Sequence, residues 1–343
     1  MFRKHGRRRT NILFVIFRLC LSLVILATLI AGLYSAYKHF SGVDPLKLDP
    51  KTAGSTLIGL LSKINLPKDL QVKLNEKIPN VPFGNEKIPS DIPSNISGVN
   101  TQKPTAKFIF RFALVADSHS DNAFLKKALD QIKKDYSDIQ FIIGLGDYTE
   151  VGTIDELKKA KKELDSTGFR YFVTPGDHDL WDSRNKSLAP TSNYAQVFGP
   201  SFQSFIFGSF KFIILYNSDN YLGLGDSQKT WLGLELSRKD SAGVFVFLHE
   251  PLFHPSSDHF MGRVQESLKV EASDLTRQFA SAGVKRVFAG DTHYFTQYLD
   301  SKTNLSMVTI GAITSARNLQ NPRFVIVSVF EDGSTTVDDV EVK

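Results

Sequence analysis

The stretch YFVTPGDHDLW, Tyr171–Trp181, sets a short apolar run against a tight polar turn. Tyr171, Phe172 and Val173 read as a strand, Pro175-Gly176 stops it, and Asp177, His178 and Asp179 follow at once. Taken alone this is an ordinary acidic turn, because Asp bonds nearby backbone and Gly accepts positive φ. Its meaning depends on whether other strands end the same way.

They do. From Lys107 the chain becomes regular, and KFIFRFALVA ends in Asp117-Ser118-His119. IQFIIGLG runs into Asp147, VFVFL into His249-Glu250-Pro251, and KRVFA into Gly290-Asp291-Thr292-His293. Five strands thus deliver Asp or His just past their carboxyl ends, the edge where open α/β sheets bind ligands. Six of the eight histidines lie beyond residue 106, and four of those six stand in these turns.

The intervening segments NAFLKKALDQIKKDY (Asn122–Tyr136) and IDELKKAKKELDS carry apolar residues at helical spacing. Strand–helix–strand–helix–strand predicts a parallel sheet with right-handed crossovers. Beyond Tyr194 the strand-like runs SFQSFIFG, FKFIILYNS, FTQYLD, LSMVTIG, RFVIVSVF and TTVDDVEV dominate, with helices expected at SQKTWLGLELSR and near ASDLTRQFASAG. An α/β half passing into a β-rich half predicts two mixed sheets packed face to face and flanked by helices, forming one domain over residues 107–343.

Carboxylate and imidazole converging without thiolates suit Mn, Fe, Zn or Mg. Two such ions about 3.5–4 Å apart, sharing a bridging carboxylate and hydroxide, are recurrent machinery for phosphate-ester hydrolysis. The motifs DSH, GDYTE, GDHD, HEP and GDTH, in this order, resemble the calcineurin-like metallophosphoesterase superfamily. Its usual pattern is D-x-H, G-D-x-x-[DE], G-N-H-[DE], a lone His, then G-H-x-H. The resemblance covers most of residues 107–300, with both Asp117–Asp147 and Asp147–Asp177 separated by 30 positions.

This resemblance implies an α/β four-layer sandwich, hydrolysis of phosphate mono- or diesters, and two divalent metal ions, Mn²⁺ first among them. Asp117, His119 and His293 would hold one ion, and Asp147 would bridge to the other. Asp177, His249 and Asp291 would complete the ligand set of the second ion. His178 would sit beside the scissile phosphate, with Asp179 orienting its ring.

Two positions depart from the pattern: residue 177, usually Asn, is Asp, and residue 291, usually His, is Asp. Both fall on the second metal's shell and double the carboxylates of the pair from two to four. Harder cations such as Mn²⁺, Mg²⁺ or Ca²⁺ are therefore expected there, with weaker attraction for an anionic phosphate. The rival to an enzyme is a surface metal-binding module that has lost turnover but recognises a phosphorylated ligand or partner. In EPLFHPSSDHFMGRV, a candidate lid, His254, His259 and Arg263 are read as ordinary loop residues.

The net charge of +5 is no sign of nucleic-acid binding. Arg3, Lys4, Arg7, Arg8 and Arg9 supply five positive charges, so subtracting them leaves the remainder neutral. No nucleic acid is expected outside an active site, and the expected small-molecule partner is a phosphate ester. That basic head (residues 1–11) precedes an apolar segment, 12–37, in which 19 uncharged residues separate Arg18 from Lys38. As a helix these span about 28 Å, the thickness of a bilayer's hydrocarbon core. Positive flanking charge predicts a single-pass anchor in the cell membrane with the C-terminal domain outside. A cleaved signal peptide is disfavoured because Tyr34 stands where a small residue is wanted. The single cysteine, Cys20, lies in this segment and leaves no internal disulfide. Residues 38–106 hold eight of 14 prolines and twice repeat NEKIP, which predicts an extended stalk.

Overall fold

Strands covered on both faces need continuous apolar runs rather than alternation. The strand β1 (Phe108–Val115) is of this kind, its last four residues all buried. The computed structural model describes residues 104–316, 318 and 320–343. The expected head, membrane helix and all but the last three residues of the stalk lie outside the described residues. Among the described residues, no helix is long and apolar enough to cross a membrane.

After β1 come α1 (Asn122–Asp135), β2 (Ile142–Gly144), α2 (Ile154–Ser166) and β3 (Tyr171–Val173). Asp121 caps α1 by accepting from the Phe124 N–H at 3.2 Å. Thr153 and Glu156 form a reciprocal capping box on α2. Both caps end the turns that follow β1 and β2, so the sequence that starts each helix also fixes where its loop stops.

A short 3-10 turn (His178–Leu180) leads into α3 (Trp181–Asn185), then α4 (Ser192–Phe198), β4 (Gln203–Phe207), β5 (Phe210–Ile214) and α5 (Asp226–Ser237). The chain continues with β6 (Gly243–Phe247), α6 (Leu268–Ser281), β7 (Val284–Ala289), β8 (Thr296–Leu299) and β9 (Ser306–Thr309). It finishes with β10 (Arg323–Phe330) and β11 (Thr335–Glu341). α3 and α4 are additions to the expected elements, too short to carry a readable period. α6 begins earlier than its apolar spacing suggests.

One sheet has the order β11-β10-β1-β2-β3 and the other β4-β5-β6-β7-β9-β8. β1, β2 and β3 run parallel, as do β5, β6, β7 and β9; β4 and β8 are antiparallel edges of the six-stranded sheet, and β10 and β11 extend the other sheet beyond β1 by antiparallel pairing. The inner faces meet in an aromatic seam containing Phe112, Phe141, Phe212, Phe247 and Phe288. Phe112 and Phe141 stack at 5.3 Å, and Phe247 and Phe288 at 5.2 Å. Phe112 also meets Phe212 edge-on at 5.5 Å, across the two sheets. Offset and edge contacts of this sort add to the area term. The outer faces are covered by α1, α2 and α4 on one side and by α5 and α6 on the other. The fold is the expected pair of mixed sheets with flanking helices, and it brings the parallel strands' carboxyl ends to one rim.

Candidate metal centre

At that rim the backbone leaves its ordinary conformations. Asp117, His119, Asp147, Asp291 and His293 all have φ between +42° and +62°. Such left-handed geometry is uncommon outside Gly and marks positions held by their surroundings. The holding bonds are backbone to backbone: Asp117 N–H to Gly146 O at 3.0 Å, and His119 N–H to Asp147 O at 2.9 Å. Gly146 and Gly176 pack face to face, and a Cβ on Gly176 would collide with Asp147 Oδ1. Only glycine allows the second and third strand-end turns to approach this closely.

The side chains gather into two groups. Asp117, His119, Asp147 and His293 each offer a ligand atom, all within 4.8 Å of one another, and Asp147, Asp177 and His249 do the same. Asp147 belongs to both. Its Oδ2 is 3.5 Å from His119 Nε2, and its Oδ1 is 3.6 Å from His249 Nε2. His119 and His293 face each other through their Nε2 atoms at 3.0 Å. His249 Nε2 also stands 3.7 Å from Asp177 Oδ1 and 4.0 Å from Asp291 Oδ1. The seven expected ligand residues thus lie around one pocket, with Asp291 at the edge of the second group.

The donor set fits divalent cations. His249 is 0% exposed, and its Nδ1 lies 2.7 Å from the carbonyl of Leu145, which fixes the proton there and turns Nε2 inward. That Nε2 atom and Asp117 Oδ2 are buried without a hydrogen-bond partner, a costly arrangement unless something else satisfies them. Electrostatics agree. Burial pushes the carboxyls of Asp117 and Asp147 above the usual range. Burial alone would depress His249, but the carboxylates of Asp147, Asp177, Asp117 and Asp291 raise it well above its ordinary value. For Asp177, burial is outweighed by His249, His178 and Arg263, and its pKa is lowered. An imidazolium at 249 therefore occupies a place built for positive charge.

His178 is half-buried at the pocket's side. Its N–H donates to Asp147 Oδ1 at 3.0 Å, and its ring Nδ1 lies 2.8 Å from the carbonyl of Glu150. A carbonyl only accepts, so Nδ1 carries the proton and Nε2 is left to meet a ligand. Here the structure corrects the expected pairing: Asp179 does not orient the His178 ring. Its carboxylate, 0% exposed, accepts from Tyr148 N–H (3.3 Å), Thr149 N–H (3.1 Å), Thr149 Oγ1 (2.7 Å) and Gly176 N–H (2.9 Å). Asp179 staples one strand-end turn to the next, and sequence adjacency to His178 hides this.

Several neighbours escape sequence reasoning. Asn217 accepts from the N–H groups of His249 and Glu250 at 3.0 and 3.1 Å, setting the turn that aims His249. Asn220 donates to Asp177 Oδ2 at 3.1 Å. Glu150, His119 and His178 form a third group of ligand-type atoms. His259 and Arg263 are more than loop surface: His259 Nδ1 stands 3.9 Å from Asp291 Oδ1, and Arg263 Nη1 is 3.2 Å from His259 Nε2. Asn217, Asn220, His259 and Arg263 lie outside the quoted motifs, and only the packing of the fold brings them to the site.

Comparison with known proteins agrees with this fold. The human serine/threonine-protein phosphatase CPPED1 is 28% identical over 168 residues, 46% of this chain and 52% of that protein, and the orthologue of Pongo abelii matches equally. The chain thus spans about half the length of the curated relatives it matches. A dimetal phosphatase from Danio rerio shares the fold with a TM-score of 0.50 at 17% identity, over 69% of this chain and all of the other. A purple acid phosphatase, PPD1, from yellow lupin (Lupinus luteus) seeds gives 0.51 at 15% identity, over 68% of this chain and 51% of the other. The sequence profile of the calcineurin-like phosphoesterases extends from residue 110 to residue 295, more than half of the chain, and the chain belongs to that family.

Proposed function

We propose that this protein hydrolyses phosphate esters with two divalent cations, held on the outer side of a membrane by its N-terminal segment. The carrying observation is the pair of ligand groups sharing Asp147, with His249 Nε2 and Asp117 Oδ2 buried there without a hydrogen-bond partner. Asp117, His119, Asp147 and His293 would hold one cation, and Asp147, Asp177, His249 and Asp291 the other. When bound, the cations supply Lewis-acid stabilisation of phosphoryl oxygens and activation of water.

The chain's own residues do the rest. His178 Nε2, when protonated, donates to a phosphoryl oxygen or to the departing alcohol. The Glu150 carbonyl fixes that ring, and Asp179 holds the turns on which His178 and Asp147 stand. Asp177 and Asp291 favour a hard ion such as Mn²⁺ in the second position. Membrane attachment through residues 12–37 rests on hydropathy and the basic head.

The test is turnover by the full chain in detergent, loaded with Mn²⁺, on an aryl phosphate monoester and a diester. Metal-dependent release that His178→Ala abolishes supports the reading. Two bound ions without turnover above that control would instead favour a module that binds phosphorylated ligands.

A further inference from the structure

Beside the metal groups two aromatic side chains remain open to solvent. Trp181, 37% exposed, stacks on the His178 ring at 3.8 Å and 29°, which covers one face of the indole. Tyr221 is 61% exposed and follows Asn220, the residue bonded to Asp177. Exposed large rings beside a polar pocket are the pattern of a binding edge rather than of an ordinary surface.

Arg184 and Asp219 link the segments that carry the two rings. Arg184 stands three positions after Trp181 on α3, so their side chains project from one face of the helix. Its Nη2 is 3.1 Å from Asp219 Oδ1, and its guanidinium lies 5.6 Å over the Tyr221 ring. The same Asp219 oxygen accepts from the N–H groups of Tyr221 and Leu222 at 3.0 and 3.1 Å. One carboxylate therefore both shapes the turn that lifts Tyr221 and anchors the helix that carries Trp181. A cation over one face of Tyr221 leaves the other face for a second aromatic ring.

We propose that Trp181 and Tyr221 form a shelf that receives a flat aromatic ring in the alcohol portion of the substrate. This assignment rests on the phosphoesterase reading above and names its substrate class. The ring is either an aryl group on the ester oxygen or a nucleobase one sugar further away.

The test uses the full chain carrying Trp231→Phe, which leaves Trp181 as the only tryptophan of two. Loaded with Mn²⁺, it is titrated with phenyl phosphate, adenosine 5′-monophosphate, ribose 5-phosphate and hexyl phosphate. At least one aromatic ester should quench Trp181 saturably and bind about 10-fold more tightly than ribose 5-phosphate and hexyl phosphate, and Tyr221→Ala should remove most of that advantage. The tighter of the two aromatic esters identifies how far the ring sits from phosphorus. Equal affinity for all four, a hexyl phosphate that matches the aromatic esters, or an advantage intact in Tyr221→Ala overturns the shelf. Phosphate release is read separately. Quenching without metal-dependent release would leave the shelf standing while removing the catalytic reading.

Discussion

The N–H of His178 donates to Oδ1 of Asp147 across 3.0 Å, tying the candidate proton donor to the carboxylate shared by both ligand groups. The two residues sit on different strand-end turns, so this bond sets how far a phosphoryl group between them can stray.

Asp147→Asn keeps the shape and removes the shared charge. Mn²⁺ bound per chain should fall from two to one or fewer, and kcat/KM by about 100-fold or more, since even outer partners of metal ligands cost about 10–100-fold. Equilibrium dialysis beside phosphate-release kinetics checks both, and full metal retention would remove Asp147 from the bridging position.

Asp179→Ala leaves four buried donors without their acceptor. A loss of about 3 kcal/mol is expected, read as a lower unfolding midpoint. His178→Ala should lose turnover while its midpoint stays close to that of the parent. If Asp179→Ala melted normally and lost only turnover, the stapling role would be wrong.

Restoring the usual residues with Asp177→Asn plus Asp291→His lowers the negative charge of the second ligand group. Turnover with Mn²⁺ should rise by about 10-fold as bound water is polarised more strongly. No gain with both ions retained contradicts the charge argument.

His254 gives a pH dependence separate from the metal residues. It is buried against Tyr294 and Thr296, with Nε2 2.9 Å from Thr296 Oγ1, and Nδ1 accepts from the Ser256 N–H at 3.2 Å. Burial lowers its pKa from 6.5 to about 4. Between those values the unfolded chain binds more protons, so stability is complete above the unfolded value and is lost as pH falls. About 1–2 kcal/mol should disappear by about pH 5, allowing for solvent screening. Unfolding midpoints measured at neutral pH and at about pH 5 should converge in His254→Gln; an unchanged slope would assign the effect elsewhere.

The layers and most strands were legible because both sheets use unbroken apolar runs, and the ligand residues because Asp and His recur where those runs stop. What sequence could not carry was partnership. Asp179 follows His178 in the chain, yet its carboxylate serves Thr149 and Gly176, because the short 3-10 turn points neighbouring side chains in opposite directions. Asn217, Asn220 and His259 lie in segments with neither period nor motif. They reach the pocket only through the packing of β5, β6 and the loop that follows β6. The N-terminal readings stand on hydropathy, charge and proline content alone.

Each ligand group draws on both layers of the sandwich. His293 comes from the six-stranded sheet to meet Asp117 and His119, and His249 from that same sheet to meet Asp147 and Asp177. Bound ions would act as rivets through the rim, while the phenylalanine seam holds the interior. Chelation should then loosen that border first, and tight rebinding should raise the melting temperature in step with ion concentration. A cofactor in such a place is also a fastener, and losing it would cost shape as well as chemistry.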